Sequence, residues 1–196
     1  MHLVLDIFQG VGIAVAVGLR PFLPALAVGA LAAGDVQIDF KGTDFSFLQS
    51  APFLIGVLIA VLAVALLERR LGAEVIGRGP FVLVLGGLAL ALGALLFAGA
   101  LAQDHYASWP GLIGGLACVA FGAVATRPLL GRVRARLGRE GPSTVLVYAE
   151  GLALAIAVLS VLAPPAGPVS LALLAWLLLA GRRRDDKKYA GLRILR

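Results

Sequence analysis

The sequence predicts an all-α protein, a polytopic membrane bundle of about seven helices whose second helix is short. Three observations predict it. The 196-residue chain is 60% hydrophobic and only 14% charged, where a water-soluble domain carries roughly 25% charged residues, and its mean hydropathy is +0.98. Its apolar runs are continuous and helix-length, unlike the short alternating stretches of a membrane barrel, and lipid solvates no open backbone, so the runs must be helices. All ten prolines stand at the edges of these runs, where a first helical turn has no use for the missing N–H.

With the prolines as start signals, the segments run 3–19, 21–34, 52–67, 80–102, 110–126, 143–162 and 164/165–180. A span needs about 20 residues to cross a hydrocarbon core of about 30 Å. The fourth, fifth and sixth segments meet this comfortably, whereas the second, at about 14 residues, reaches only about 21 Å. Asp6 stands where a cleavable leader would carry positive charge, so the first segment is read as a retained helix. Residues 1–181 form the transmembrane domain and 182–196 a basic cytoplasmic tail.

The charges orient the segments. Of 17 Lys and Arg, all but Lys41 fall on one side if every segment crosses. Arg20 follows the first segment, and Arg69, Arg70 and Arg78 follow the third. Arg127, Arg132, Arg134, Arg136 and Arg139 follow the fifth, and the rest follow the seventh. The opposite side receives Asp35, Asp39, Asp44 and Asp104. This is the positive-inside pattern, and it predicts a plasma or inner membrane protein with its N-terminus outside and its C-terminus in the cytoplasm.

"VAVGLRPFLP" (15–24) places Arg20 at the cytoplasmic mouth of a helical hairpin, with Pro21 and Pro24 in the first turn of the returning helix. Arg20 reads as a topology anchor reaching headgroups, or as a gate or anion contact, since the helix it starts is too short and a short helix can line a wet cavity. "GAVATRPLLG" (122–131) resembles this stretch, with Arg127–Pro128 facing Arg20–Pro21. A possible 3+1+3 repeat follows, similar by count and orientation to SWEET-type sugar carriers.

Ionisable groups inside a span are costly and usually face the bundle interior. Glu150, in "VYAEGLALA", lies about two turns into the sixth segment and is a candidate proton or cation contact. Asp6 lies as deep in the first, with Gln9 one turn on along the same face. Each has an alternative reading, Glu150 as a satisfied structural carboxylate and Asp6 as a wet boundary residue. Glu68 is explained by a local ion pair with Arg69 and Arg70.

"RPLLGRVRARLGRE" (127–140) separates Leu130, Val133 and Leu137 from the arginines at 132, 134, 136 and 139, as a short interfacial helix on anionic cytoplasmic lipid would. It lacks the aromatics that stack nucleic-acid bases, so nucleic acid is not an expected partner. Gly111 and Gly115, with Gly114, Cys118 and Gly122, form stripes that allow close helix packing or a homo-oligomer. Cys118 reads as a small packing residue, and His2 and His105 lack the spacing of metal ligands. No phosphate-binding, hydrolase or CxxC motif is present. No cofactor or metal is expected, and the enzyme reading is left open but disfavoured.

"GLRPFLP" (18–24), "LLERRLG" (66–72), "WPGLIGG" (109–115) and "KKYAGLRILR" (187–196) resemble an uncharacterised bacterial family of integral membrane proteins, domain of unknown function 4126. That resemblance implies a multi-pass membrane protein and carries no activity. The absence of Asn beside heavy Ala, Gly, Leu, Val and Arg use also fits a high-GC bacterial genome. The expected function is a transporter or channel-like permease for a small solute or ion. The alternative is a non-transporting protein that organises lipid or a partner.

Overall fold

A computed structural model describes residues 2–71, 80–137 and 141–190. Among them every regular element is helical: α1 (His2–Leu19), α2 (Phe22–Ala33), a 3-10 turn (Ser46–Gln49), α3 (Ala51–Leu71), α4 (Pro80–Ala102), α5 (Trp109–Leu137), α6 (Gly141–Leu162) and α7 (Ala166–Ala190). Four stretches are long and apolar enough to cross a membrane: His2–Leu19, Ala51–Arg70, Phe81–Ala102 and Trp109–Thr126. Phe22–Ala33, Val147–Leu162 and Ala166–Ala180 are shorter and equally apolar. The all-α bundle of about seven segments is therefore the architecture of the chain.

α1 is the axis of the bundle. It packs against α2, α4, α5, α6 and α7, and every residue from Gly12 to Gly18 is buried. Outside water, no hydrophobic effect draws one apolar helix to another, so close packing must supply the attraction. Small residues make that approach possible. A Cβ at Gly167 of α7 would lie 1.9 Å from the Phe8 carbonyl oxygen, and one at Gly122 of α5 would lie 2.7 Å from that of Val15. Gly111 and Gly115 bring α5 equally close to Ala98 and Ala94 of α4. The glycine stripe read from the sequence is thus occupied by contacts within the chain. α3 lies at the periphery, packed on α2, and presents Ile55, Ile59, Leu62 and Leu66 outward. Three helices stand on either side of α4 in chain order, yet α1 packs on members of both sets.

α2 has 12 residues, about 18 Å at 1.5 Å per residue. The segment that follows supplies the missing depth. Asp35 and Gln37 adopt left-handed φ of 54° and 60°, conformations that cost a non-glycine residue on the order of 1 kcal/mol. They turn the chain back over the bundle end, where Ile38, Phe40 and Leu48 are buried. The ring of Phe40 sits over Gly99 of α4. The Phe40 N–H donates to Gln49 Oε1 at 3.0 Å, and the Thr43 hydroxyl donates to the Phe40 carbonyl at 2.8 Å. Irregular backbone at depth is tolerated when protein groups satisfy it in this way.

One expectation is corrected. Residues 127–137 are not a separate interfacial helix: α5 continues through them, with Pro128 inside the helix rather than at its edge. An interior proline removes one hydrogen bond and kinks the chain, whereas ending the helix there would release four carbonyls. The Thr126 hydroxyl also donates to the Gly122 carbonyl at 2.6 Å just before the proline. α7 runs on to Ala190, so the stretch expected as the basic tail begins as helix. Arg78, Arg139 and residues 191–196 lie outside the described residues.

The close contacts yield a stability prediction. Gly167→Ala forces a Cβ into the α1 backbone and is expected to destabilise the protein by about 1–3 kcal/mol, as overpacking does. Gly151→Ala on α6 meets nothing within 4 Å and is expected to be neutral or slightly stabilising. Thermal unfolding of both variants in one detergent checks this. Equal melting temperatures would remove the glycine contact as the basis of α1 packing.

Candidate functional site

The polar groups gather at one end of the bundle. Asp6 and Gln9, one helical turn apart, are 5% and 2% exposed. Gln103, at the end of α4, joins them: its Nε2 donates to Asp6 Oδ1 at 3.0 Å and to Gln9 Oε1 at 3.3 Å. Its Oε1 accepts from the Asp39 N–H at 3.5 Å. Gln9 Nε2 donates to the carbonyls of Gln37 at 3.4 Å and Val161 at 3.5 Å. One amide network thus ties α1, α4, α6 and the α2–α3 loop together.

Above this network lies an open cleft of about 530 Å³, lined mainly by Asp6, Gln9, Gln37, Asp39, Gln103 and Asp104, with His2, Leu5, Asp35, Ile38, Lys41 and Pro164 completing it. The lining comes from the start of α1 and from the α2–α3, α4–α5 and α6–α7 connections. An alternating bundle must bring those four places to the same end. Asp104 lies beside Asp6, and His2 Nδ1 is 3.7 Å from Asp104 Oδ2.

At the rim, the Lys41 ammonium pairs with Asp35, which raises the lysine's pKa. The Lys41 N–H donates to Asp39 Oδ1 at 2.8 Å and holds the Asp39 carboxyl below its usual range. Deeper in, Asp6 Oδ2 is buried with no hydrogen-bond partner among the described residues. A buried carboxylate oxygen left bare is unfavourable unless a donor reaches it.

A second buried charge lies at the opposite end. Arg20, in the α1–α2 turn, donates to Glu68 Oε1 of α3 at 2.9 Å, with side-chain exposures of 16% and 8%. The expected local pairing of Glu68 with Arg69 and Arg70 is corrected. Arg20 is its partner, because Arg69 and Arg70 are exposed while Glu68 lies on the side that meets α2. The pair anchors the peripheral α3 to the α1–α2 turn.

The sequence-predicted residues therefore separate. Asp6 and Gln9 come together in the cleft, and Arg20 lies at the other end. Glu150 is half-buried on α6 and is not among the residues lining the cleft. The side chains of Arg127, Arg132, Arg134 and Arg136 lie outside the described set, as does Arg139. Sequence reasoning missed Gln37, Gln49, Gln103 and Asp104. A signal was present: Gln9, Gln37, Gln49 and Gln103 are all the glutamines of the chain, and in the predicted topology they share one side. Among the described residues no group of three His, Cys, Asp or Glu could hold a metal ion. Comparison with protein-family models, curated proteins and solved structures finds no match to this chain.

Gln103→Leu removes the donor to Asp6 and the acceptor for Asp39. It is expected to destabilise the protein by about 1–3 kcal/mol, the effect of leaving buried polar groups unsatisfied. Glu68→Gln strands the Arg20 charge and is expected to lose on the order of 3 kcal/mol, with partial recovery in an Arg20→Gln/Glu68→Gln double variant. Thermal unfolding of the three proteins measures both effects. Additive losses in the double variant would show that the pair is not coupled.

Proposed function

We propose that this integral membrane protein is a permease for a small solute or ion, with the acid-lined cleft as its outer vestibule. One observation carries the reading: the open cleft is lined by a buried carboxylate, Asp6, which makes no ion pair among the described residues. Ionisable groups at such depth mark solute and ion pathways by default. Below Asp6, the continuous buried stretch of α1 and the glycine contacts leave a dry middle, so the arrangement is one of a pathway open at one end. Passage requires α1 to shift against α5 and α7, and the Arg20–Glu68 pair bounds that shift at the far end.

The alternative, a non-transporting protein that organises lipid or a partner, is favoured by the same dry middle. The positive-inside count supports an external cleft and a cytoplasmic C-terminus, and it supports contact between the basic side and anionic lipid. Membership in domain of unknown function 4126, proposed from four motifs, is compatible with either reading.

In a Cys118→Ala background, single cysteines at Asp104 and Ser46 are expected to react with an impermeant thiol reagent in intact cells. One at Gly138 is expected to react only after the membrane is opened. In proteoliposomes loaded with rubidium, methylammonium or a neutral sugar, at least one solute should exchange, and Asp6→Asn should reduce that flux about tenfold or more per folded protein, the loss of a charged contact. Labelling of all three positions from outside would refute the orientation. Flux that Asp6→Asn leaves unchanged would remove the cleft from the pathway.

A further inference from the structure

We infer that the cleft is a binding site for a small alkylammonium group, held between the Asp6 and Asp104 carboxylates with its carbons against Leu5, Ile38 and Pro164. The inference rests on the vestibule reading for its biological use, but the binding itself requires no flux.

The charges of the lining select a cation. Four carboxylates, Asp6, Asp35, Asp39 and Asp104, face Lys41 and His2. Lys41 is spent on the first rim pair, its ammonium on Asp35 and its backbone N–H on Asp39. Asp6 and Asp104 remain side by side, and adjacent like charges repel strongly where water is scarce. His2 compensates weakly, because its side chain is 82% exposed and 3.7 Å away. Gln103 occupies Asp6 Oδ1, while Oδ2 has no partner among the described residues although Asp6 is only 5% exposed. The carboxyl at the floor of the cleft is therefore desolvated and uncompensated, its Oδ2 closed to solvent, and a positive charge entering the cleft offsets it.

Size and lining then choose among cations. A volume of about 530 Å³ lies in the range of small-molecule clefts, about 300–1,000 Å³, far above the roughly 30 Å³ share of one water. A hard metal ion requires several converging oxygens, and no group of three His, Cys, Asp or Glu among the described residues could hold one. An ammonium offers three N–H donors on one positive centre, which hydrogen-bond the more exposed Asp104 carboxylate while the charge sits beside Asp6. Leu5, Ile38 and Pro164 add a smaller apolar part to a mainly polar lining, one that neither a metal ion nor a proton would use. The same chemistry is carried by a free alkylamine and by the ethanolamine headgroup of a lipid, since the cleft opens at the end of the bundle.

The test is calorimetric titration of n-butylammonium onto the full chain in nanodiscs of phosphatidylcholine and phosphatidylglycerol. Saturable binding is expected, about tenfold or more weaker in Asp6→Asn, whose side-chain oxygen still accepts from Gln103. Asp104→Asn should weaken binding as well, and Asp44→Asn, outside the cleft, should not. Because Asp104 lies at the rim, that variant keeps the test decisive even if Asp6→Asn folds poorly. Neutral n-butanol should not bind, and potassium at equal concentration should not displace the amine. Adding phosphatidylethanolamine to the discs separates the two sources: a fall in amine affinity identifies the lipid headgroup, and no change identifies a free solute. No saturable binding, equal affinity in wild type and both carboxamide variants, equal binding of butanol, or displacement by potassium would each overturn the inference. Binding without flux would sink the permease reading alone, and flux of another solute without amine binding would sink this one alone.

Discussion

The structure depends on how closely other helices approach α1. A helix surrounded by five others needs a slim surface, because each neighbour competes for space around one cylinder. Between Gly10 and Gly18, α1 presents only Gly, Ala, Val and Ile. Its neighbours answer with Gly122 and Gly167, which bring their backbones against its carbonyls. In lipid this contact area replaces the hydrophobic drive that assembles a soluble core. It also closes the middle of the bundle, so any polar feature of α1 must lie at its ends.

That constraint explains where the polar residues can stand. Asp6 and Gln9 lie just outside the packed stretch of α1, where Gln103 and the folded-back loop meet them. The shortness of α2 is part of the same arrangement. A full-length second helix would occupy the volume now held by Phe40, Ile38 and the loop backbone, whose amides Gln49 and Gln103 satisfy. The cleft exists because an irregular segment, rather than a helix, closes that end. At the opposite end an ion pair, Arg20 with Glu68, ties the short α1–α2 turn to α3.

The two buried carboxylates, Asp6 and Glu68, each keep one oxygen without a hydrogen-bond partner among the described residues, and they differ in the charge beside them. Arg20 and Glu68 neutralise one another, as a structural tie must. Asp6 receives one neutral amide on one oxygen and faces a second carboxylate. This difference in compensation, rather than burial or a bare oxygen, is what the proposed cation site rests on, since an uncompensated anion at an open cleft gains most from an incoming cation.

By itself the sequence determined the solvent of the protein, the number and order of its helices, and the ends to which its charges go. Those follow from composition, proline position and the spacing of apolar runs, all local properties that act segment by segment. It marked Asp6 and Gln9 through their depth, but it put Glu150 ahead of them, because depth along a helix says nothing about which way a residue faces. Tertiary structure decided the rest. It turned the glycine stripe inward, gave Glu68 to Arg20 across 48 positions rather than to adjacent arginines, and carried α5 through Pro128. It also joined Gln103 to Asp6 across 97 positions. Apart from the passage through Pro128, each of these is a contact between distant segments, fixed by the order in which helices surround α1, and no local pattern encodes that order.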